Sequence, residues 1–382
     1  MSAGTEADSA VIGPGATIGI IGGGQLGRMM AMAAARLGYR THIYAPESSG
    51  PAFEVSTHWT QGAYDDADAL GRFADQCAVV TYEFENLPAA PIAALAKQVP
   101  LRPNGRALAI AQDRLAEKDF VRDLGGAPAP YHGVDSLADL ESALAAIGTP
   151  AILKTRRLGY DGKGQVVIRD AGEAVAAWDA IAGQAAVLEG FVTFTHEFSI
   201  LLARTPNGMI KSWDAPKNVH VDGILDRSTV PAPDALGDTI AKARSLAAQI
   251  AEALDYVGVM ACEFFASADG PVFNEMAPRV HNSGHWTIEG ALTSQFENHI
   301  RAICGLPLGS TATLGNRVVM HNIIGERVDD WPEFLADPAC HLHLYGKGKG
   351  RAGRKMGHAT WVLADESEPA IPGAKSAKEG SA

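Results

Sequence analysis

The sequence predicts a multi-domain protein of α/β and α+β type, and three observations carry that reading. The chain has 382 residues, which suits two or three domains and sets no limit on core size. From about residue 16 to 100, strand and helix signals alternate, the order that gives a parallel sheet with crossover helices. Beyond about residue 125 the strand signals gather around fewer helices, as in α+β units.

Residues 1–15, MSAGTEADSAVIGPG, have neither the basic start nor the apolar stretch of a secretory signal and read as a disordered tail. Thr17–Ile21 is a short apolar strand, followed by GGGQLGRM and a helical stretch ending at Gly38. Thr41–Tyr44 and Ala78–Tyr82 are strand-like. A helical stretch from Asn104 to Leu124 stops at Gly125-Gly126, with Pro128 and Pro130 beyond. The first unit is therefore set at 16–115 and the second at 116–310. Within the second, a lid of about 125–190 is expected. Its helix is capped by Ser136 and closed by Gly148, and its strands are Ala151–Lys154, Gln165–Ile168 and Ala186–Glu189. Strands at Glu197–Ala203 and near Met209–Asp214 follow, then a helix from Asp238 to Leu254 and a hairpin of Val259–Phe265 with Val272–Met276. Residues 311–366 read as short strands and turns, a small β-rich domain, and 367–382 as a second disordered tail.

Composition narrows the functional classes. Hydrophobic residues at 47% and charged residues at 20% are those of a globular protein, and no apolar run reaches the roughly 18 residues of a membrane span. The net charge of −12 argues against a nucleic-acid surface. An anionic small molecule would need a local basic cluster, and Lys347, Lys349, Arg351, Arg354 and Lys355 form one; a solvated loop is the plain alternative. The cysteines (Cys77, Cys262, Cys304, Cys340) lack metal-type spacing, which suits a reduced, cytoplasmic setting. His341 and His343 alternate on a strand pattern and are read as packing or surface residues rather than metal ligands.

The hairpin is the most informative feature. With Ala268-Asp269-Gly270 as its connection, Glu263 and Glu275 face each other across the ladder. Opposed carboxylates repel and destabilise a sheet unless a cation lies between them. Mg²⁺ carrying nucleotide phosphates is the natural occupant, with Mn²⁺ as a substitute. A solvated acidic face is the alternative; adjacent Asn274 and the polar run Arg279, His281, Asn282 and His285 weigh against it.

Two glycine loops stand out. Gly22-x-Gly24-x-x-Gly27 follows a strand and opens a helix, with Glu47 about where a dinucleotide fold places its ribose acid; a tight turn without a ligand is equally consistent. The second, Gly159-Tyr160-Asp161-Gly162-Lys163-Gly164-Gln165, lies between two strands, the first of which carries Lys154. A strand lysine can neutralise phosphates while a glycine hairpin folds over them and excludes water. Glu189-Gly190-Phe191-Val192 reads as a hinge whose backbone meets an adenine edge, and Glu197 as a holder of ribose hydroxyls.

These elements in this order resemble the ATP-grasp superfamily. The strings GGGQLGRM, TYEFEN, QDRLAEK, GYDGKGQ, NEMAPRVHNSGHW and GRKMGH resemble, within it, the N5-carboxyaminoimidazole ribonucleotide synthetases of purine biosynthesis, from about residue 17 to 362. The resemblance implies an ATP-grasp fold, a Rossmann-like N-terminal domain of biotin-carboxylase type and a small C-terminal domain. It implies a homodimeric ligase that uses ATP, bicarbonate and 5-aminoimidazole ribonucleotide through carboxyphosphate. Carried over residue by residue, nucleotide contacts fall on Arg114, Lys154, the loop 159–165, Glu189 to Val192, Glu197, His220, Asn274 and Glu275. Glu263 and Glu275 would hold Mg²⁺. Tyr160 and Asp161 would lie near the aminoimidazole, and Arg279, His281 and Asn282 near bicarbonate or its phosphorylated form. Lys347 and Arg354 would clamp the ribonucleotide phosphate, helped by loop amides around Gln25, with Glu83 on a ribose hydroxyl. Many ATP-grasp enzymes carry Asn two residues after the second metal glutamate; here that position is Ala277.

Overall fold

The structure is a computed structural model that describes residues 11–159, 164–365, 368–369 and 371–372. The chain begins with β1 (Thr17–Ile21), α1 (Gln25–Arg36), β2 (Arg40–Ala45), β3 (His58–Gln61), α2 (Ala67–Ala74) and β4 (Val79–Tyr82). These strands form a parallel sheet in the order β3-β2-β1-β4. Ile18, Ile20 and Ile21 are fully buried, as expected for a central parallel strand covered on both faces. Residues 12–15, expected within a loose tail, are tied down: Ile12 N–H donates to the Cys304 carbonyl and Gly15 N–H to that of Gly38.

Three helices follow, α3 (Ala89–Leu95), α4 (Gly105–Ala111) and α5 (Arg114–Asp123). The single helix expected over 104–124 is thus two. Asp113 ends the first by capping the second: its carboxylate accepts from the N–H groups of Leu115 and Ala116, satisfying amides that a continuous helix would have bonded internally.

The lid comprises β5 (Tyr131–Val134), α6 (Leu137–Ile147), β6 (Ala151–Thr155), β7 (Gln165–Ile168), α7 (Ala174–Ala180) and β8 (Ala186–Gly190). Its strands pair antiparallel in the order β5-β8-β6-β7. Ser136 caps α6 and Gly148 ends it at φ +86°, as the sequence indicated.

The largest sheet takes β9 (His196–Arg204), β10 (Ile210–Ser212), β11 (Lys217–Val221) and β12 (Ile224–Val230), then, after α8 (Gly237–Ala253), β13 (Gly258–Ser267) and β14 (Gly270–Ala277). After α9 (Thr287–Gly290) and α10 (Gln295–Ile303) it gains β15 (Arg317–Ile324), and after α11 (Trp331–Ala336) also β16 (His341–Leu344) and β17 (Lys355–Leu363). The order is β14-β13-β9-β11-β12-β15-β17-β16, with β10 on β9. The C-terminal strands therefore extend the same sheet as the acid hairpin, and β15 and β17, at eight and nine residues, are longer than the short strands expected. Arg327 also donates to the carbonyl of Pro372, in the segment expected as a loose tail. β11 and β12 had no counterpart among the expected elements. Their mark is Asp222-Gly223, both at positive φ, between runs of alternating polarity.

α1 packs on α10, so that Met30, Ala34, Phe296 and Ile300 share one buried cluster. His299 adds a polar tie: one ring nitrogen lies 2.8 Å from Thr81 Oγ1 on β4, and the other accepts from Val259 N–H on β13. The N-terminal sheet is thereby held against the large sheet, and the ends of β1 and β4 face the hairpin across a gap.

Candidate active site

That gap is a cleft of about 1030 Å³. Gln25 and Glu83 line it from the N-terminal sheet; Glu263, Glu275, Arg279, His281 and Asn282 from the hairpin and the loop after it; and Lys347, Arg351, Arg354 and Lys355 from the C-terminal segment. Arg114 and Gly159 close the side next to the lid. Residues far apart in sequence and singled out separately meet in one place.

Glu263 and Glu275 are direct partners across β13 and β14. The expected opposition is present but arises differently. The turn is Ala268-Asp269, two residues rather than three, and a bulge at Asn274 restores the offset. Burial and the facing Glu275 charge push Glu263 up to about 7. Glu275, against the same burial, is held low by the Arg114 guanidinium at 2.8 Å. Among the described residues Glu263 has no ion pair as close: His281 Nε2 lies at 3.7 Å, and the charges of His220 and Lys355 offset its repulsion by Glu275 only in part. His281 is held neutral by burial and by Arg279. An oxygen donor pair with one uncompensated carboxylate fits a hard divalent cation.

A smaller recess behind Glu263 is lined by Glu197, His220 and Asn274. His220 Nδ1 contacts Glu197; burial opposes a charge there, but the Glu197 and Glu263 carboxylates raise the imidazole above its ordinary pKa. The hydroxyl-binding role read for Glu197 thus competes with a histidine already on its carboxylate.

Lys154 reaches Glu189, Nζ to Oε2 at 2.9 Å, and Lys118 reaches the other oxygen at 3.1 Å. Burial raises the Glu189 carboxyl, but the two lysines lower it further and keep it ionised. Lys118 also lies 3.3 Å from the Asn274 carbonyl, which ties this cluster to the hairpin. At the hinge, the Gly190 and Phe191 N–H groups already donate to the carbonyls of Pro130 and Pro150, leaving neither free to read an adenine edge. Phe191 is exposed and Val192 half-buried. Gly164, at φ +71°, immediately precedes β7, which Gln165 opens, and the Gly164 carbonyl accepts from Thr155 N–H. Tyr160, Asp161, Gly162 and Lys163 lie outside the described residues.

Arg279 is gripped by Glu85, Nε to Oε2 at 2.6 Å and Nη2 to Oε1 at 3.2 Å. The Asn282 carboxamide, expected to face a substrate, pairs reciprocally with Asn322 at 2.9 and 2.8 Å. Lys347 Nζ donates to the Lys355 carbonyl at 2.8 Å.

The first glycine loop has an occupant from the chain itself. Glu83 accepts from Gly24 N–H through one oxygen and from Gly27 N–H at 2.7 Å through the other. A Cβ on Gly24 would come within 2.7 Å of Glu83 Oε1, so the glycine admits a carboxylate of the protein. The dinucleotide reading needs those two amides and is corrected here, whereas Gln25, between them, still lines the cleft. Glu83 caps α1 in place of a dinucleotide.

Several residues here carried no expectation. Lys118 and Glu117 both sit in QDRLAEK, at the start of a helix, where a helical pattern hides them as ordinary surface charges. Glu117 accepts from Met276 N–H at 2.6 Å, and burial, with Glu275 adding, pushes it up to about 8. Glu85 sits in TYEFEN two residues after Glu83, in the loop that follows β4, and both line the cleft. Arg156 clamps Asp113 at 3.1 and 2.8 Å, joining the lid to the cap of α5.

Known proteins match this arrangement along most of the chain. The ribonucleotide synthetase preATP-grasp domain matches residues 15–112, the ATP-grasp domain 119–296, and the phosphoribosylaminoimidazole carboxylase C-terminal domain 318–370. The N5-carboxyaminoimidazole ribonucleotide synthase of Brucella melitensis is 49% identical over 358 residues, 93% of this chain and 98% of that one. The ADP complex of the Staphylococcus aureus synthetase superposes with a TM-score of 0.90 at 36% identity, covering 94% of this chain and 96% of the other. The Aspergillus clavatus enzyme in complex with ADP and 5-aminoimidazole ribonucleotide gives 0.85 at 29% identity, covering 91% and 94%. The chain belongs to the N5-carboxyaminoimidazole ribonucleotide synthase family of ATP-grasp enzymes.

Proposed function

We propose that this chain is an ATP-dependent carbon–nitrogen ligase that carboxylates 5-aminoimidazole ribonucleotide on its amine, with ATP and bicarbonate, in purine biosynthesis. The observation that carries the reading is the shared cleft: an acid pair suited to a nucleotide-bound cation and a four-cation segment suited to a phosphomonoester line the same space. A bicarbonate oxygen attacks the γ-phosphorus of ATP and ADP leaves. The amine nitrogen then attacks the carbon of carboxyphosphate, or of CO₂ released from it, as phosphate departs and the amine loses a proton.

The roles of the described residues follow from charge and place; those of Tyr160 and Asp161 follow from the resemblance. Lys154, Lys118 and Arg114 balance nucleotide phosphates, and Glu197 with His220 faces the ribose. Glu263 and Glu275 would hold Mg²⁺, or Mn²⁺ in its stead; when bound, the ion neutralises phosphate charge and orients the leaving group. Arg279 stabilises the charge of the phosphorylated one-carbon acid once its hold by Glu85 is shared with ligand. His281, kept neutral, hydrogen-bonds there without adding charge. Lys347 and Arg354, with Arg351 beside them, take the ribonucleotide phosphate. Asp161 and Tyr160 act on the amine. No helix among the described residues is long and apolar enough to cross a membrane. A cytoplasmic homodimer is the assembly the resemblance implies, and light scattering tests it.

The deciding assay is phosphate release from ATP with the ribonucleotide and bicarbonate added singly and together. Release that needs both, with the carboxylated product detected, is the expected result. Release dependent on formate, or turnover indifferent to the ribonucleotide, overturns the assignment.

A further inference from the structure

Lys347, whose Nζ donates to the Lys355 carbonyl at 2.8 Å, also stands over a buried aromatic chain that no step of the chemistry uses. Its Nζ lies 5.5 Å from the centre of the Tyr345 ring. Tyr345 is fully buried, and its hydroxyl lies 2.8 Å from His358 Nδ1. His358 is itself fully buried, and His343 stacks on it at 4.5 Å with the planes 5° apart. His343 Nε2 in turn contacts Glu289 Oε1 at 2.7 Å on α9. Gly357 permits the close approach, because a side chain there would strike the His343 carbonyl.

We infer that Tyr345 and His358 are positioning residues for ribonucleotide binding, acting through Lys347 by fixing the ring beneath its ammonium. The inference rests on the reading that Lys347 clamps the ribonucleotide phosphate. Three physical points support it. A lysine tail has several free torsions, and a ring face near the ammonium restricts them while leaving the charge available. The ring is fixed in turn by a hydrogen bond inside the protein, where a lost partner is expensive. Burial keeps the Tyr345 phenol protonated and the His358 imidazole neutral, so the link between them does not switch with pH near neutrality. Geometry argues against a metal centre as the purpose of the cluster: stacked parallel rings cannot both direct lone pairs at one ion.

The test is a mutant cycle in the full-length protein. Tyr345→Phe keeps the ring and removes the hydroxyl; Tyr345→Leu removes the ring. We expect the KM for 5-aminoimidazole ribonucleotide to rise about twofold to fivefold in the first and about fivefold to tenfold in the second, the scale of a cation–π contact and its anchoring. The kcat and the KM for ATP should change less than twofold. In a Lys347→Met background neither substitution should raise the ribonucleotide KM further, because the residue through which they act is gone. His358→Gln, which can still bond the tyrosine hydroxyl, should recover most of the loss seen in His358→Leu. Equal effects on the KM for ATP, or additivity with Lys347→Met, overturn the inference and leave the cluster a structural core. If Lys347→Met leaves the ribonucleotide KM unchanged, the phosphate-clamp reading fails instead.

Discussion

Glu189 and Glu263 are both carboxylates sunk into sheets beside the proposed nucleotide site, and the chain treats them in opposite ways. Glu189 receives an ammonium on each oxygen, Lys154 at 2.9 Å and Lys118 at 3.1 Å. Glu263 receives another carboxylate across the ladder. The first arrangement is complete within the protein. The second is stable only if a cation arrives or a proton stays. The difference separates an ion cluster whose loss is read first in stability, although its lysines also serve the proposed nucleotide site, from a proposed cation site whose loss is read in turnover.

Glu275→Gln is the strongest test of that division. It removes one charge from the opposed pair, relieving repulsion while deleting a donor for the cation. ATP turnover should fall by at least about 10³-fold, while in thermal stability the relief of repulsion on Glu263 and the loss of the Arg114 ion pair act in opposite directions and leave a smaller change than Lys118→Met does. Phosphate release and a melting curve on one preparation measure both. Retention of more than a tenth of the activity would place the cation elsewhere.

Lys118→Met probes the other region. Removing one partner of a buried ion cluster costs about 3–5 kcal/mol, chiefly because the remaining charge is left uncompensated. Urea denaturation should show that loss, and the added substitution Glu189→Gln should recover much of it without restoring ATP affinity. A loss of activity with stability intact would erase the distinction between the two clusters.

The contrast also marks what the sequence could show. Glu263 and Glu275 were legible because strand periodicity and a turn suffice to oppose two side chains, although a shorter turn and the Asn274 bulge produced the register by another route. Lys154 was legible because it shares a strand with the glycine loop. Its neighbour Lys118 was not, since it comes from a helix 36 residues earlier and only tertiary packing brings the two to one carboxylate. The same holds for Glu85 on Arg279 and Asn322 on Asn282, pairings between segments far apart in sequence that no local pattern encodes. Glu83 filling the first glycine loop was hidden for a different reason. Glycine spacing announces a close approach but does not say whether a ligand or the protein makes it.

Proton linkage sharpens the comparison at the glutamate end. The folded protein keeps the Glu263 proton up to about 7, whereas an unperturbed glutamate loses it near 4.5. Between those values the folded state binds more protons than the unfolded one, so raising the pH destabilises the metal-free protein until about 7. Glu275, depressed to about 2, acts in the opposite sense only below 4.5 and leaves this window untouched. If Mg²⁺ is the proposed occupant it displaces the Glu263 proton, so the rise in melting temperature it produces should be larger at pH 8 than at pH 6. Glu263→Gln should abolish that difference. An Mg²⁺ effect independent of pH in the wild type would detach Glu263 from the cation.

Arg114→Lys carries the smallest effect and tests whether the two ends are coupled. Arg114 Nη1 pairs with Glu275 at 2.8 Å, and Nη2 lies 3.3 Å from the Gly159 carbonyl at the edge of the glycine loop. Its guanidinium thus spans the hairpin and the lid. Lysine keeps the charge and gives up the fork, so it can serve one partner at a time. The lost hydrogen bond is worth about 1 kcal/mol, and the KM for ATP should rise about fivefold with kcat less affected. A fall in stability as large as that of Lys118→Met would mean that Arg114 belongs to the structural cluster. A collapse in turnover like that of Glu275→Gln would mean that the acid pair depends on its arginine as much as on its cation.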